Sequence, residues 1–197
     1  PLLYNISGAI YHEVGQLDAA VKCYEMSLAI NPNYAEAHNN LGNALKELGE
    51  LEASVKHYEQ ALAIKPNYAE AHNNLGNTLK ELGELEASIK CFEQALAIKP
   101  NYAEAHNNLG NTLKELGELE ASIKCFEQAL AIKPNYAEAH YNFGNVLKEL
   151  RQLEAAVEHY LQALEFKPDF AEAHSNLGVA LKELGQLDAM VHHLEQA

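Results

Sequence analysis

Tryptophan is absent from this chain of 197 residues, methionine occurs twice and cysteine three times. So sparse a cysteine set excludes a disulfide framework and points to an intracellular, reducing setting, with the cytoplasm as the expected location. No apolar run approaches the roughly 20 residues that a membrane-spanning helix requires, and no signal peptide opens the chain. Basic residues are scarce. Only 14 Lys+Arg stand against 28 Asp+Glu, a formal net charge of −14. Phosphate binding needs a basic face, so nucleic acid is not an expected partner, and an anionic membrane surface is disfavoured by the same arithmetic. Catalytic signatures are missing as well: there is no Gly-rich phosphate loop, HExxH, CxxC or GxSxG elbow. Neither an enzyme nor a cofactor is therefore expected in this stretch. The chain begins at Pro1 without an initiator methionine, which leads to the expectation of a segment from a longer protein.

What the chain does have is repetition. Residues 69–102 read AEAHNNLGNTLKELGELEASIKCFEQALAIKPNY, and residues 103–136 are the same letter for letter. Residues 35–68 differ from them at four places: Ala44 for Thr78, Val55 for Ile89, His57 for Cys91 and Tyr58 for Phe92. Aligned without gaps, the units are 1–34, 35–68, 69–102, 103–136, 137–170 and a shortened 171–197. They account for every residue, so a single array with no linker is expected.

Each unit holds two helix-period patterns. In the second, Leu41, Leu45 and Leu48 form one apolar stripe, and Leu51, Val55, Tyr58 and Leu62 form another. Gly49 between them suits the left-handed residue that ends a helix, and Pro66 cannot continue the second helix. Asn67 with Glu70 three residues later reads as a capping box for the next helix. Neither stripe can be buried by one hairpin alone, so stacked hairpins must share a continuous core.

Small residues recur in register. Gly8, Gly42, Gly76, Gly110, Gly144 and Gly178 hold the eighth position, and Ala20, Ser54, Ser88, Ser122 or Ala156 follows twelve residues later. An aromatic comes next (Tyr24, Tyr58, Phe92, Phe126, Tyr160), then Ala61, Ala95, Ala129 and Ala163, then a proline. This pattern resembles the tetratricopeptide repeat (TPR). The resemblance implies an all-α fold: a right-handed superhelical solenoid of antiparallel helix pairs, with a concave groove lined by the first helix of each pair. Ser27, Arg151 and Met190 depart from it. At Arg151, where the turn glycine would stand, a left-handed backbone costs an ordinary residue roughly 1 kcal/mol.

Histidine and cysteine form two columns. His38, His72, His106, His140 and His174 occupy the fourth position, and Cys23, His57, Cys91, Cys125, His159 and His193 a place on the second helix. Taken column by column, neighbours lie one layer apart, roughly 8–10 Å, whereas zinc gathers its ligands at about 2 Å. No metal site is expected, and the fourth-position histidines read as inter-repeat packing.

Asparagine is the sharper signal. Asn40, Asn74, Asn108, Asn142 and Asn176 hold the sixth position, Asn43, Asn77, Asn111 and Asn145 the ninth, and Asn39, Asn73 and Asn107 the fifth. Asn costs several tenths of a kcal/mol against Ala inside a helix, so its recurrence asks for compensation. Amide pairing between neighbouring repeats is one source. The other is a groove in which amides, donor and acceptor at once, pair with the backbone of an extended peptide. The units are similar to the repeats of O-linked N-acetylglucosamine transferases, in which the Asn before Leu-Gly grips substrate backbone. That resemblance implies the same role for the sixth-position asparagines. A carboxylate clamp for chaperone tails is not expected, because Glu36, Glu70, Glu104, Glu138 and Glu172 fill the second position, where it needs lysine.

The sequence thus leads to a non-catalytic scaffold that takes a peptide or protein segment in its groove. The alternative is the substrate-recruiting arm of a larger glycosyltransferase whose catalytic domain is absent from this sequence. End-to-end self-association is a further expectation. Leu2, Leu3, Ile6 and Ile10 have no preceding repeat here, and Leu187, Val191 and Leu194 no following one.

Overall fold

The fold was read from a computed structural model that describes residues 1–185; Leu187, Met190, Val191, His193 and Leu194, invoked above, lie outside the described residues. Two compact units are present, residues 1–100 and 101–197. The first contains α1 (Leu2–Glu13), α2 (Leu17–Ile30), α3 (Ala35–Glu47), α4 (Leu51–Ile64), α5 (Ala69–Glu81) and α6 (Leu85–Ile98). The second contains α7 (Ala103–Glu115), α8 (Leu119–Ile132), α9 (Ala137–Glu149), α10 (Leu153–Phe166) and α11 (Ala171–Glu183). Among the described residues there is no strand. The architecture is an all-α repeat solenoid in which each 34-residue period supplies one helical hairpin.

Each hairpin closes through a left-handed residue. After α3, the Gly49 amide donates to the Lys46 carbonyl and the Glu50 amide to the Leu45 carbonyl, both at 2.9 Å. These are the paired bonds of a Schellman turn. Gly49 sits at φ 81°, and Arg151 fills the equivalent place after α9 at φ 62°. The Arg151 turn keeps both bonds, from Arg151 to Lys148 at 3.0 Å and from Gln152 to Leu147 at 2.8 Å.

Packing inside a hairpin is set by the eighth-position glycine. A Cβ built on Gly42 would lie 2.6 Å from the Tyr58 ring, and one on Gly110 would lie 2.8 Å from Phe126. The aromatic therefore occupies the space that a side chain would take. It also meets the next hairpin: Tyr24 clusters with Leu41 and Leu45, Tyr58 with Leu75 and Leu79, and Tyr160 with Leu177 and Leu181. Every one of these rings is buried. Each buried ring contributes roughly 1.5–3 kcal/mol, and it does so across an interface between repeats.

The expected capping box does not form. Helix α5 begins at Ala69 with Tyr68 as its N-cap, and no side chain caps it. Asn67 thus stands one residue too early, and the Glu70 carboxylate turns to its own backbone N–H and then to Lys99. Both interactions hold the Glu70 carboxyl below its ordinary range. Glu36 is lowered in the same way, chiefly by Lys65 at 2.9 Å. Lys65 also lies 4.3 Å over the Tyr68 ring. Glu36, Glu70 and Glu138, the last held by Lys167 at 3.4 Å, are thereby accounted for as fasteners between the two ends of their repeats.

Candidate functional site

The nine candidate asparagines lie on α3, α5, α7, α9 and α11, and all are partly exposed. The fifth-position Asn39, Asn73 and Asn107, by contrast, are buried. Amides of the two columns meet across repeats. Asn74 Nδ2 donates to Asn39 Oδ1 at 3.1 Å, Asn142 to Asn107 at 3.0 Å, and Asn40 to Asn5 at 3.2 Å. Where Tyr141 replaces the fifth-position Asn, Asn176 donates to its hydroxyl at 3.1 Å and to Asn145 Oδ1 at 2.8 Å. Inter-repeat amide pairing is thus one compensation for asparagine in these helices. It uses one N–H of Asn40, Asn74 and Asn142 and both N–H groups of Asn176.

The ninth position depends on a residue that sequence reasoning passed over. Tyr58 Oη donates to Asn43 Oδ1 at 2.7 Å, and Tyr160 Oη to Asn145 Oδ1 at 2.8 Å. Burial pushes the Tyr58 hydroxyl up to about 12, so it stays a donor at any ordinary pH. The signal was available in the alternation of Tyr and Phe at this place: Phe92 and Phe126 bring no hydroxyl to Asn77 and Asn111.

Each unit contains a cleft built to one plan. In the first, a cleft of about 450 Å³ is lined by Asn43 of one repeat and Asn74 of the next, with His12, Lys46, Glu47, Tyr58 and Glu81. Lys46 Nζ pairs with Glu81 at 2.8 Å, and His12 Nε2 lies 3.1 Å from a Glu47 carboxylate oxygen. In the second, a cleft of about 570 Å³ is lined by the equivalent Asn145 and Asn176, with Lys114, Tyr141, Lys148, Glu149, Arg151 and Glu183. Here Arg151 takes the Glu183 carboxylate, and Lys148 Nζ donates to Asn176 Oδ1 at 3.2 Å. Desolvation, and then the charge of nearby Lys114, lower the Lys148 pKa against the pull of Glu183.

The histidine columns meet within hairpins, which neither column alone reveals. His38 Nδ1 lies 3.1 Å from His57 Nδ1, and His140 Nδ1 lies 3.1 Å from His159 Nδ1. Their Nε2 atoms contact the Pro32 and Pro134 carbonyls of the preceding repeats at 3.0 and 2.9 Å. Burial and then the neighbouring imidazole lower His57, and take His159 down to about 4. Among the described residues no three His, Cys, Asp or Glu side chains gather as a metal site. None of the three cysteines is in a disulfide, and burial raises Cys91 to about 11. None of the described helices is long and apolar enough to cross a membrane.

Comparison with known proteins fits this geometry. A match 56% identical over 39 residues joins the chain to the uncharacterized protein ycf37 of Pyropia yezoensis, spanning 20% of this chain and 22% of that protein. Among solved structures, pilF of Pseudomonas aeruginosa superposes with a TM-score of 0.88 at 21% identity, over 97% of this chain and 87% of its own. YrrB, described as a TPR protein with an unusual peptide-binding site, gives a TM-score of 0.68 at 23% identity, over 88% and 89%. The TPR repeat profile itself matches five overlapping windows, 8–49, 42–83, 76–117, 110–151 and 144–185. With glycine, small residue and aromatic packed as the period requires, and the profile running from residue 8 to residue 185, the chain belongs to the TPR repeat family.

Proposed function

We propose that this chain is a non-catalytic interaction scaffold, one array from residue 1 to 197, that holds an extended peptide or protein segment along its first helices. The carrying observation is the recurrence, in both units, of a cleft lined by a ninth-position Asn and the sixth-position Asn of the next repeat. Asn43 and Asn145 keep their Nδ2 donors, and Asn74 a second N–H, beyond the bonds above, and these can pair with the carbonyls of a peptide backbone whatever its side chains. YrrB, of like fold, is described as having a peptide-binding site, which favours the same use here. Three cysteines outside any disulfide suit work in a reducing compartment such as the cytoplasm. The exposed Leu2, Leu3, Ile6 and Ile10 would further draw copies of this chain together end to end.

The test uses peptides selected from a random display library on the intact chain. Asn77→Ala with Asn111→Ala should weaken their binding at least about fivefold without lowering the melting temperature, since Ala is the better helix former. Unchanged binding would assign the columns to packing between repeats alone.

A further inference from the structure

The first repeat departs from the others along one face of α1. The third position is Ala37, Ala71, Ala139 or Ala173 in later repeats, each 0% exposed, whereas Leu3 is 75% exposed. The tenth is Ala44, Thr78, Val146 or Ala180, again at 0%, whereas Ile10 is 57% exposed. The hairpins are built alike, so the cover over these positions comes from the preceding repeat. That cover leaves alanine-sized room at the third position. A leucine there would overpack a closed interface. A repeat of the kind this chain contains therefore does not fit the α1 face.

Two further changes accompany the large side chains. The Glu36–Lys65 fastener has no counterpart in the first repeat, where Leu2 and Asn31 hold those positions. Ser27, standing where later repeats carry Ala61 or Ala163, takes over its task. Its buried Oγ donates to the Pro1 carbonyl at 2.9 Å and ties the start of α1 to α2. Among the described helices α1 alone has no acidic residue in its first turn. Leu2, Leu3, Ile6 and Ile10 thus form a fixed, uncharged apolar face on a chain of net charge −14.

We propose that this face docks on the same face of a second copy, α1 against α1 about a two-fold axis, to give a closed dimer. This rests on the end-to-end association proposed above and names its partner face and its symmetry. In a two-fold contact each patch meets its own image, so a charge on it would face a like charge. An apolar face without charge escapes that repulsion and is complementary to itself. Head-to-tail stacking, which would extend into a filament, is the arrangement that Leu3 obstructs.

Sedimentation equilibrium of the intact chain tests this, with Leu3→Ala combined with Ile10→Ala as the variant. Both positions are exposed, and alanine favours the helix, so the fold is not endangered. In high salt, which screens the charge, the parent chain should reach twice the monomer mass and stop there. The double substitution should weaken dimerisation at least about tenfold and leave helicity unchanged. Isotope-filtered NMR on mixed labelled and unlabelled chains should show the Leu2, Leu3, Ile6 and Ile10 methyls of one copy touching those of the other. Absence of these contacts, or a dimer that the double substitution leaves undiminished, overturns the proposal. A mass that climbs past the dimer overturns the two-fold contact while end-to-end association stands. A chain that stays monomeric at high concentration overturns both, and if it then sediments with phosphatidylcholine vesicles the face belongs to lipid.

Discussion

Gly110→Ala isolates what holds a hairpin together. In an exposed helix this change is favourable by roughly 0.5–1 kcal/mol, because alanine loses less backbone freedom on folding. Here the new Cβ would stand 2.8 Å from Phe126 Cε1, 2.9 Å from Cζ and 3.1 Å from Cδ1. The Phe126 ring is fully buried and clusters with Phe143, Tyr160 and Leu177, so it cannot swing aside. Overpacking of a tight core costs about 1–3 kcal/mol, which exceeds the propensity gain. A net destabilisation of about 1–2 kcal/mol is expected, read as a lower urea midpoint with the slope unchanged. Phe126→Leu, which frees the same space, should recover part of the loss when combined with Gly110→Ala, giving a favourable coupling energy in a double-mutant cycle. Gly117→Ala is the control: nothing lies within 4 Å of its Cβ, so only the φ of 85° resists it. If Gly110→Ala were as stable as the parent chain, the account of the glycine–aromatic contact would be wrong.

Two further outcomes follow from the ionisable groups and from the exposed end. His159 is neutral in the folded chain down to about pH 4 but takes a proton near 6.5 when unfolded, so stability is full above 6.5 and falls as pH drops towards 4. Because the ring is partly exposed, the loss is about 1 kcal/mol; His159→Cys, with the residue that repeats three and four carry there, should flatten melting temperature against pH over that window. Association through the exposed α1 face should rise with chain concentration and with salt, which screens the charge of −14. Sedimentation showing a monomer at high concentration in high salt would refute it.

The fold was legible because the period repeats every signal several times. One hairpin with a glycine, an aromatic and a proline would be ambiguous; the same residues in register across five units are not. The capping box was misread because Asn67 and Glu70 have the right spacing at the wrong offset, and only the backbone at Tyr68 decides where the helix begins. For the site, the asparagine columns were visible, but their partners were not. Tyr58 and Tyr160 come from the other helix of the hairpin, and the histidine columns meet only because positions 19 residues apart face one another there. Arg151 was legible as strain and illegible as chemistry, since its carboxylate lies 32 residues away.

The amide bonds between repeats join residues 35 apart: Asn40 to Asn5, Asn74 to Asn39, Asn142 to Asn107. That separation is one period plus one residue in all three bonds. Removing residues 69–102 would therefore bring Asn108 to the place of Asn74, before the same Leu-Gly and after the same preceding unit. Length in this molecule can thus be reduced by one whole period, between stretches identical in amino-acid sequence, without creating a junction that the chain does not already pack.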